Sequence, residues 1–307
     1  MSPYVIILCR MSKSTKFSVI MPAYNEERAL GNVLEGLCSA PELNNFELIV
    51  VDDGSKDRTA QIAAEYPRVK LLKHRVNKGY GAAIVTGVHA ATGDYIIWFD
   101  SDGQHRVEDL VKIASALEQD DLDYCVGIRD SQSHQTSNRI FGKLILKLTV
   151  WIVLGKTVKD FNSGLRGFRR DVLNPYLRFL PQGFGASTTT TLLMHKRGYY
   201  GKEVPITVKP RVGKSSVNAL KDGLRTLQII LRFFLLFTPM RFFGGIGVAV
   251  IVAGFIYGFI EAFTKHLGFP VFAAVLILLG VQSFFFGLIC DQISLSRLDS
   301  LERDLHK

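Results

Sequence analysis

Residues 95–105 read YIIWFDSDGQH, an apolar run that closes on two aspartates, Asp100 and Asp102, spaced i, i+2. In an extended chain, side chains at i and i+2 point the same way. Both carboxylates can then face one divalent cation, a hard ion that takes oxygen ligands and bridges phosphates. Gln104 can add a carbonyl oxygen. The same Asp, Ser and Gly residues also let a chain leave a sheet through a turn. The pattern around the stretch has to decide between the two readings.

Working outward, residues 17–21, 46–51 and 95–99 are short apolar runs rich in strand formers, and 69–72 and 124–128 are weaker ones. Between them, 26–38, 57–65, 80–91 and 107–117 carry helical spacing. Strands alternating with helices of this length predict βαβ units and a parallel sheet. In such sheets ligands bind beyond the carboxyl ends of the strands. Three polar clusters fall at those ends: Pro22-Ala23-Tyr24-Asn25-Glu26, Asp52-Asp53-Gly54-Ser55 and Asp100-Ser101-Asp102. Convergence on one edge favours a site over a bare turn.

Each cluster has a structural and a chemical reading. Ser55 or Asp57 can cap the following helix and Gly54 can make the turn. Adjacent like charges at Asp52 and Asp53 call for a ligand or donor groups to compensate them, and a base or ribose is one such ligand. Tyr24 can stack on a base or pack in the core. Asn77-Lys78-Gly79-Tyr80-Gly81 opens a glycine-rich helix that could approach a phosphate, although its spacing is not that of a dinucleotide fingerprint. His105 is expected behind the site or facing solvent.

The chain has 307 residues and a net charge of +9. Residues 242–260 and 267–290 carry no charge, and each is long enough to cross the hydrocarbon core as a helix. The polar turn 261–266 makes them a transmembrane hairpin. Lys209, Arg211, Lys214, Lys221, Arg225, Arg232 and Arg241 precede the first span, which predicts both termini on the cytoplasmic side. That basic stretch suits an anionic lipid surface, and no nucleic-acid-binding motif accompanies it. Segments 131–159 and 219–237 each pair a basic stripe with an apolar one and predict amphipathic helices at the interface. Gly254-x-x-x-Gly258 permits close helix contact, between the two spans or between copies in a homo-oligomer. Cys9, Cys38, Cys125 and Cys290 lie too far apart for a zinc pattern and suit a reduced compartment.

The stretches VIMPAYNEE, VVDDGSKDRT, NKGYGAAI, ATGDYIIWFDSDGQH and DFNSGLRGFRRDVL stand in the order and spacing of family 2 glycosyltransferases. The chain most resembles the polyisoprenyl-phosphate sugar transferases, the dolichol-phosphate mannose synthase-like group, over roughly residues 16–216. The resemblance implies a GT-A fold, an α/β nucleotide-diphospho-sugar transferase domain with a mostly parallel sheet. It implies an N-terminal extension 1–15, a catalytic domain 16–217 containing the acceptor-side helix 131–159, a juxtamembrane helix 218–240, a hairpin 241–290 and a tail 291–307.

The implied roles are specific. Pro22, Ala23, Tyr24, Glu26, Asp53, Lys78, Asp100 and Ser101 would hold the nucleotide-sugar, and Asp100, Asp102 and Gln104 would hold Mg²⁺ or Mn²⁺. Arg129, Arg139 and Ser163 would meet the acceptor phosphate. Asp102 or Asp160 is a candidate base, and Arg211 and Lys214 would add charge at the leaving diphosphate. The implied reaction is inverting transfer of a hexose to polyprenyl phosphate. Two departures bear on the donor. The basic segment Arg211–Ser216 is one residue shorter than R-x-x-G-x-S-K. Thr188-Thr189-Thr190-Thr191 also stands where many mannose-type relatives carry an acid. UDP-glucose and UDP-N-acetylhexosamine therefore stand at least level with GDP-mannose. A processive polysaccharide synthase is the alternative enzyme, but the two tryptophans, Trp98 and Trp151, lie in no Q-x-x-R-W context. A non-catalytic membrane-anchored interaction protein would require loss of site residues that are present.

Overall fold

The computed structural model of the chain describes residues 17–129, 160, 163–183, 185–209, 231–232, 234–235, 237–265 and 268–305, the last nine by backbone alone. The expected interface helix 131–159, most of 218–240, and Arg139, Arg211 and Lys214 lie outside the described residues. The chain forms two compact units, one built on a sheet and one on the C-terminal helices.

Seven strands make the sheet: β1 (Phe17–Ala23), β2 (Glu47–Asp52), β3 (Val69–Lys73), β4 (Tyr95–Trp98), β5 (Tyr124–Arg129), β6 (Arg166–Arg169) and β7 (Gly201–Ile206). Their spatial order is β3-β2-β1-β4-β6-β5-β7. β3, β2, β1 and β4 run parallel, β6 runs antiparallel to both neighbours, and β7 runs parallel to β5. β1 and β4 are buried throughout, which explains why their sequences are continuously apolar rather than alternating. β3 is an edge strand whose Lys70 and Lys73 stay exposed and discourage further pairing.

The helices are α1 (Leu30–Ser39), α2 (Thr59–Ala64), α3 (Tyr80–Ala90), α4 (Val107–Gln119), α5 (Arg170–Leu173) and α6 (Ala186–Arg197). Leu30, Leu34 and Leu37 of α1 and Leu110, Ile113 and Leu117 of α4 form a core with Val19, Met21, Val50 and Ile97. Each buried leucine contributes about 2 kcal/mol. α3 covers the other face and presses Gly87 onto Ile20, where a Cβ would lie 2.4 Å from the Ile20 methyl.

In the C-terminal unit, α7 (Gly245–Lys265) follows a π-helical turn, Met240–Gly244, and α8 (Val271–Leu305) returns alongside it. The apolar helices Met240–Lys265 and Val271–Ser296 are each 26 residues long, about 39 Å at the helical rise and enough to cross a bilayer core. Val252, Phe255, Ile256, Phe259 and Ile260 point outward from α7, and Phe272, Leu278 and Phe285 from α8. Glycines occupy the seam instead: a Cβ on Gly247 would lie 2.6 Å from the Gly280 carbonyl, and one on Gly258 would overlap the Phe269 ring at 2.3 Å. The small-residue motif therefore pairs the two spans with each other. α8 continues without a break past Cys290, so the helix itself marks no boundary with the expected tail.

Candidate active site

The carboxyl ends of β1, β2 and β4 are tied into one edge. The Asp53 amide donates to the Ala23 carbonyl at 2.8 Å and the Phe99 amide to Ile20 at 3.0 Å. The Ser101 hydroxyl donates to Pro22 at 2.7 Å. The loops beyond these strands are laced together as well. The Glu26 amide donates to the Thr59 hydroxyl and the Lys56 amide to the Asn25 side chain. Asn25 turns the chain at φ 56°, a left-handed conformation that asparagine tolerates. Pro22, Ala23, Asp53, Asp100 and Ser101 thus share one edge. The Tyr24 ring stands 43% exposed beside them, which removes the core-packing reading.

Asp52 and Asp53 find their compensation within the chain. Asp52 accepts the Ser55 amide at 3.0 Å. Asp53 is 3% exposed and accepts the amides of Lys78 (2.9 Å) and Gly79 (2.7 Å). His74 Nδ1 lies 2.7 Å from it, and His74 Nε2 lies 2.9 Å from the Thr86 hydroxyl. Asp53 thus holds the 74–79 loop, and Asp52 holds the turn at Ser55. Asp57, as expected, accepts the Thr59 amide at the start of α2. At the start of α3, where a phosphate contact is expected, the Ala82 amide donates to the Gln182 carbonyl at 3.0 Å.

Asp100 is presented differently. Its side chain is 27% exposed. Oδ1 accepts the Tyr80 hydroxyl at 2.9 Å, and Oδ2 lies 3.5 Å from His105 Nε2. Burial pushes its carboxyl up, but the hydrogen bond and charge of His105, the Tyr80 hydroxyl and the nearby Arg166 charge together hold it below the ordinary aspartate range. Burial and Asp100 push Tyr80 well above the ordinary phenol range, so it remains a donor. His105 is itself 6% exposed and braces Asp100 from behind, with Nδ1 buried and without a hydrogen-bond partner. Asp102 Oδ1 accepts the Gln104 amide at 3.1 Å, closing the turn. The Gln104 carboxamide nitrogen donates to the Lys209 carbonyl, and the Lys209 amide donates to the Gln104 carbonyl. Gln104 therefore ties the turn to the segment after β7.

Arg129 and Asp160, expected from the resemblance to face the acceptor, form a two-pronged ion pair, Nε to Oδ2 at 2.7 Å and the second nitrogen to Oδ1 at 3.1 Å. The Asp160 hydrogen bond raises the Arg129 pKa against the opposing effect of burial. Ser163 is buried, with its hydroxyl turned to Leu165 and its carbonyl held by Arg166. The residue whose hydroxyl is expected to meet the acceptor phosphate is thus 1% exposed. Lys78 is exposed, and its amide belongs to the Asp53 cluster.

Three residues of the cluster escape sequence reading: His74, Tyr80 and Arg166. Arginine is almost never fully buried, yet Arg166 is 0% exposed. Burial lowers its pKa to about 10, so it is charged at neutral pH. The available signal was the run of hydroxyl side chains at 187–191, whose buried oxygens need a donor.

Residues 18–177 match the family described as Glycosyl transferase family 2, and residues 238–296 match the GtrB C-terminal hairpin. The chain is 30% identical over 301 residues to the undecaprenyl-phosphate 4-deoxy-4-formamido-L-arabinose transferase of Photorhabdus laumondii subsp. laumondii, covering 91% of this chain and 88% of that one. It is 34% identical over 179 residues to the UDP-N-acetylglucosamine–dolichyl-phosphate N-acetylglucosaminyltransferase of Methanococcus voltae, covering 50% and 70% of the two chains. Among solved structures it resembles glucosyl-3-phosphoglycerate synthase from Mycobacterium tuberculosis in complex with Mn²⁺, UDP and glucosyl-3-phosphoglycerate. That similarity has a TM-score of 0.58 at 20% identity, covering 72% of this chain and 79% of that one, and it bears on the fold alone. The chain belongs to glycosyl transferase family 2.

Proposed function

We propose that the chain transfers one sugar from a nucleotide-sugar, UDP-linked in the first instance, to a polyprenyl phosphate at a membrane surface. The observation that carries this reading is the Asp100–Asp102 turn at the carboxyl edge of the parallel sheet, in a chain that also bears an outward-apolar hairpin. The two relatives named above act, by their names, on undecaprenyl phosphate and dolichyl phosphate.

A divalent cation fits the donor set. Asp100 is held ionised, and Asp102 supplies a second carboxylate from the same turn. Among the described residues no three His, Cys, Asp or Glu side chains form a cage. Mg²⁺ commonly binds through one or two carboxylates and completes its shell from substrate phosphates and water. When bound, the cation would neutralise charge on the leaving diphosphate. Gln104 is spoken for at its nitrogen by Lys209.

The remaining chemistry belongs to side chains. A polyprenyl phosphate is anionic near neutral pH, so its oxygen can attack the anomeric carbon directly while the bond to the diphosphate breaks. No proton has to be removed from that nucleophile, and Asp160 need not act as a base. Its ion pair with Arg129 suits it to orienting that guanidinium, whose unengaged nitrogen can meet a phosphate oxygen. Single displacement gives inversion at the sugar. The nucleoside would lie over Pro22, Ala23, Tyr24 and Glu26, against the loop that Asp53 shapes, with Lys78 at its rim. Arg139, Arg211 and Lys214 are proposed partners of the two phosphate groups. The basic stretch before the first span supports cytoplasmic termini.

The test uses the full chain in detergent with undecaprenyl phosphate and labelled UDP-N-acetylglucosamine, UDP-glucose or GDP-mannose. The expected result is an organic-extractable, acid-labile product that requires Mg²⁺ or Mn²⁺. A long polymer would point to a polysaccharide synthase, and no lipid-linked product from any donor would overturn the reading.

A further inference from the structure

Arg166 sits on β6 with no solvent access, and none of its hydrogen-bond partners among the described residues is a carboxylate. Burying a charge on neutral partners alone is expensive, and an apolar side chain could fill the same volume. The geometry shows what the guanidinium does there. Nε donates to the Ser163 carbonyl at 2.9 Å, and a terminal nitrogen donates to the same oxygen. The other terminal nitrogen reaches α6, at the Ser187 carbonyl (2.5 Å), the Thr190 hydroxyl (3.0 Å) and the Thr191 hydroxyl (3.1 Å). The flat group lies 5.8 Å from the centre of the Trp98 ring on β4.

Both ends of this clasp lead to Asp100. Gly164 follows Ser163, and a Cβ there would lie 1.9 Å from Asp100 Oδ2, so the gripped turn forms one wall against the carboxylate. The other wall is Tyr80, which donates to Asp100 Oδ1 and shares a side-chain hydrogen bond with Ser187. Ser187 is in turn held through its carbonyl by Arg166. Only a planar fork with donors on several edges can hold both walls at once. We propose that Arg166 is a positioning residue that clasps Ser163 to Ser187 and so fixes the two walls between which Asp100 is aimed at a divalent cation bound with the nucleotide. This rests on the cation reading given above. The threonines of α6 serve it as neutral acceptors, leaving the positive charge of Arg166 to act on Asp100.

The experiment measures UDP affinity of the full chain by calorimetry, with Mn²⁺ and with EDTA, so no transfer is needed. In the wild type, Mn²⁺ should strengthen UDP binding at least about tenfold. Arg166→Lys keeps the charge and loses the fork. It should leave metal-free affinity within about threefold and cut the Mn²⁺ enhancement by about tenfold. Gly164→Ala should do the same, and the double variant should be no worse than the worse single one, because both lesions act on one contact. Full enhancement in Arg166→Lys, or multiplicative losses in the double variant, would overturn the clasp. Should Arg166→Lys also lose metal-free binding, Thr191→Val removes one acceptor and leaves the cation. It should still reduce the enhancement about twofold, and full retention overturns the proposal. A wild type without Mn²⁺ enhancement would overturn the cation reading and the clasp together. A wild type that binds Mn²⁺–UDP but makes no lipid-linked sugar would overturn the acceptor reading, and the Arg166→Lys enhancement would still decide this one.

Discussion

Two acidic pairs stand at the ends of two parallel strands separated only by β1, and the protein uses them in opposite ways. Asp53 is buried and accepts two backbone amides and a histidine ring, all from the loop 74–79. Asp100 is met by side chains instead, Tyr80 at Oδ1 and His105 at Oδ2, and it remains 27% exposed. Amide donors fix a loop, and a carboxylate that accepts them has little left to offer a ligand. Side-chain donors that approach from behind keep a carboxylate ionised and oriented while its front stays open. Identical residues at equivalent places on one sheet therefore become a structural staple and, on the proposed reading, a presented ligand, according to who donates to them.

Substitutions can break or sharpen this contrast. Asp102→Asn should cut sugar transfer by roughly 10²–10³-fold, read in the lipid-product assay, and leave the melting temperature unchanged. Asp53→Asn should do the reverse in kind, losing about 2–3 kcal/mol of stability in denaturant unfolding because buried donors are left unmatched. Gly54→Ala probes the same staple from the backbone. Gly54 has φ +73°, and a Cβ would lie 2.7 Å from the Val76 backbone carbon, so a loss of about 1–3 kcal/mol is expected by the same measurement. Glu47, at the opposite end of β2, is a third carboxylate satisfied by its own chain. Burial pushes it up, but hydrogen bonds from Ser18 and Thr92 and the Lys70 charge leave it below the ordinary range. A folded-state value below the unfolded one gives stability that is present above about pH 4.3 and lost as pH falls through the folded value. Glu47→Gln should therefore cost about 1 kcal/mol at pH 7, and the difference from wild type should close as the pH is lowered into that range.

Much of this was legible in the sequence because the signals were local. The continuous apolar runs of β1 and β4, the helical spacing of α1 and α4, and the i, i+2 carboxylates are each contained in a dozen residues or fewer. The uncharged hairpin was legible for the same reason. β6 was not, because Arg166-Gly167-Phe168-Arg169 has neither the length nor the alternation of a strand and pairs only through its distant neighbours. The partners of Asp53 lie 21 to 26 residues away, so its charge read as a demand without a supplier. Arg166 was hidden by the strongest prior of all, that a charged side chain faces water. Of the two uses the sequence offered for Gly254 and Gly258, contact between the two spans is present, against Ala273 and Phe269 of the same hairpin.

The contrast between the two acidic pairs is tested most directly by the shift in melting temperature that UDP with Mn²⁺ produces in the full chain, compared across wild type, Asp53→Asn and Asp102→Asn. A ligand that binds only the folded state raises its stability by mass action. Asp53→Asn should start lower than wild type and keep the ligand-induced rise, while Asp102→Asn should start level with wild type and lose it. A full rise in Asp102→Asn would contradict the account.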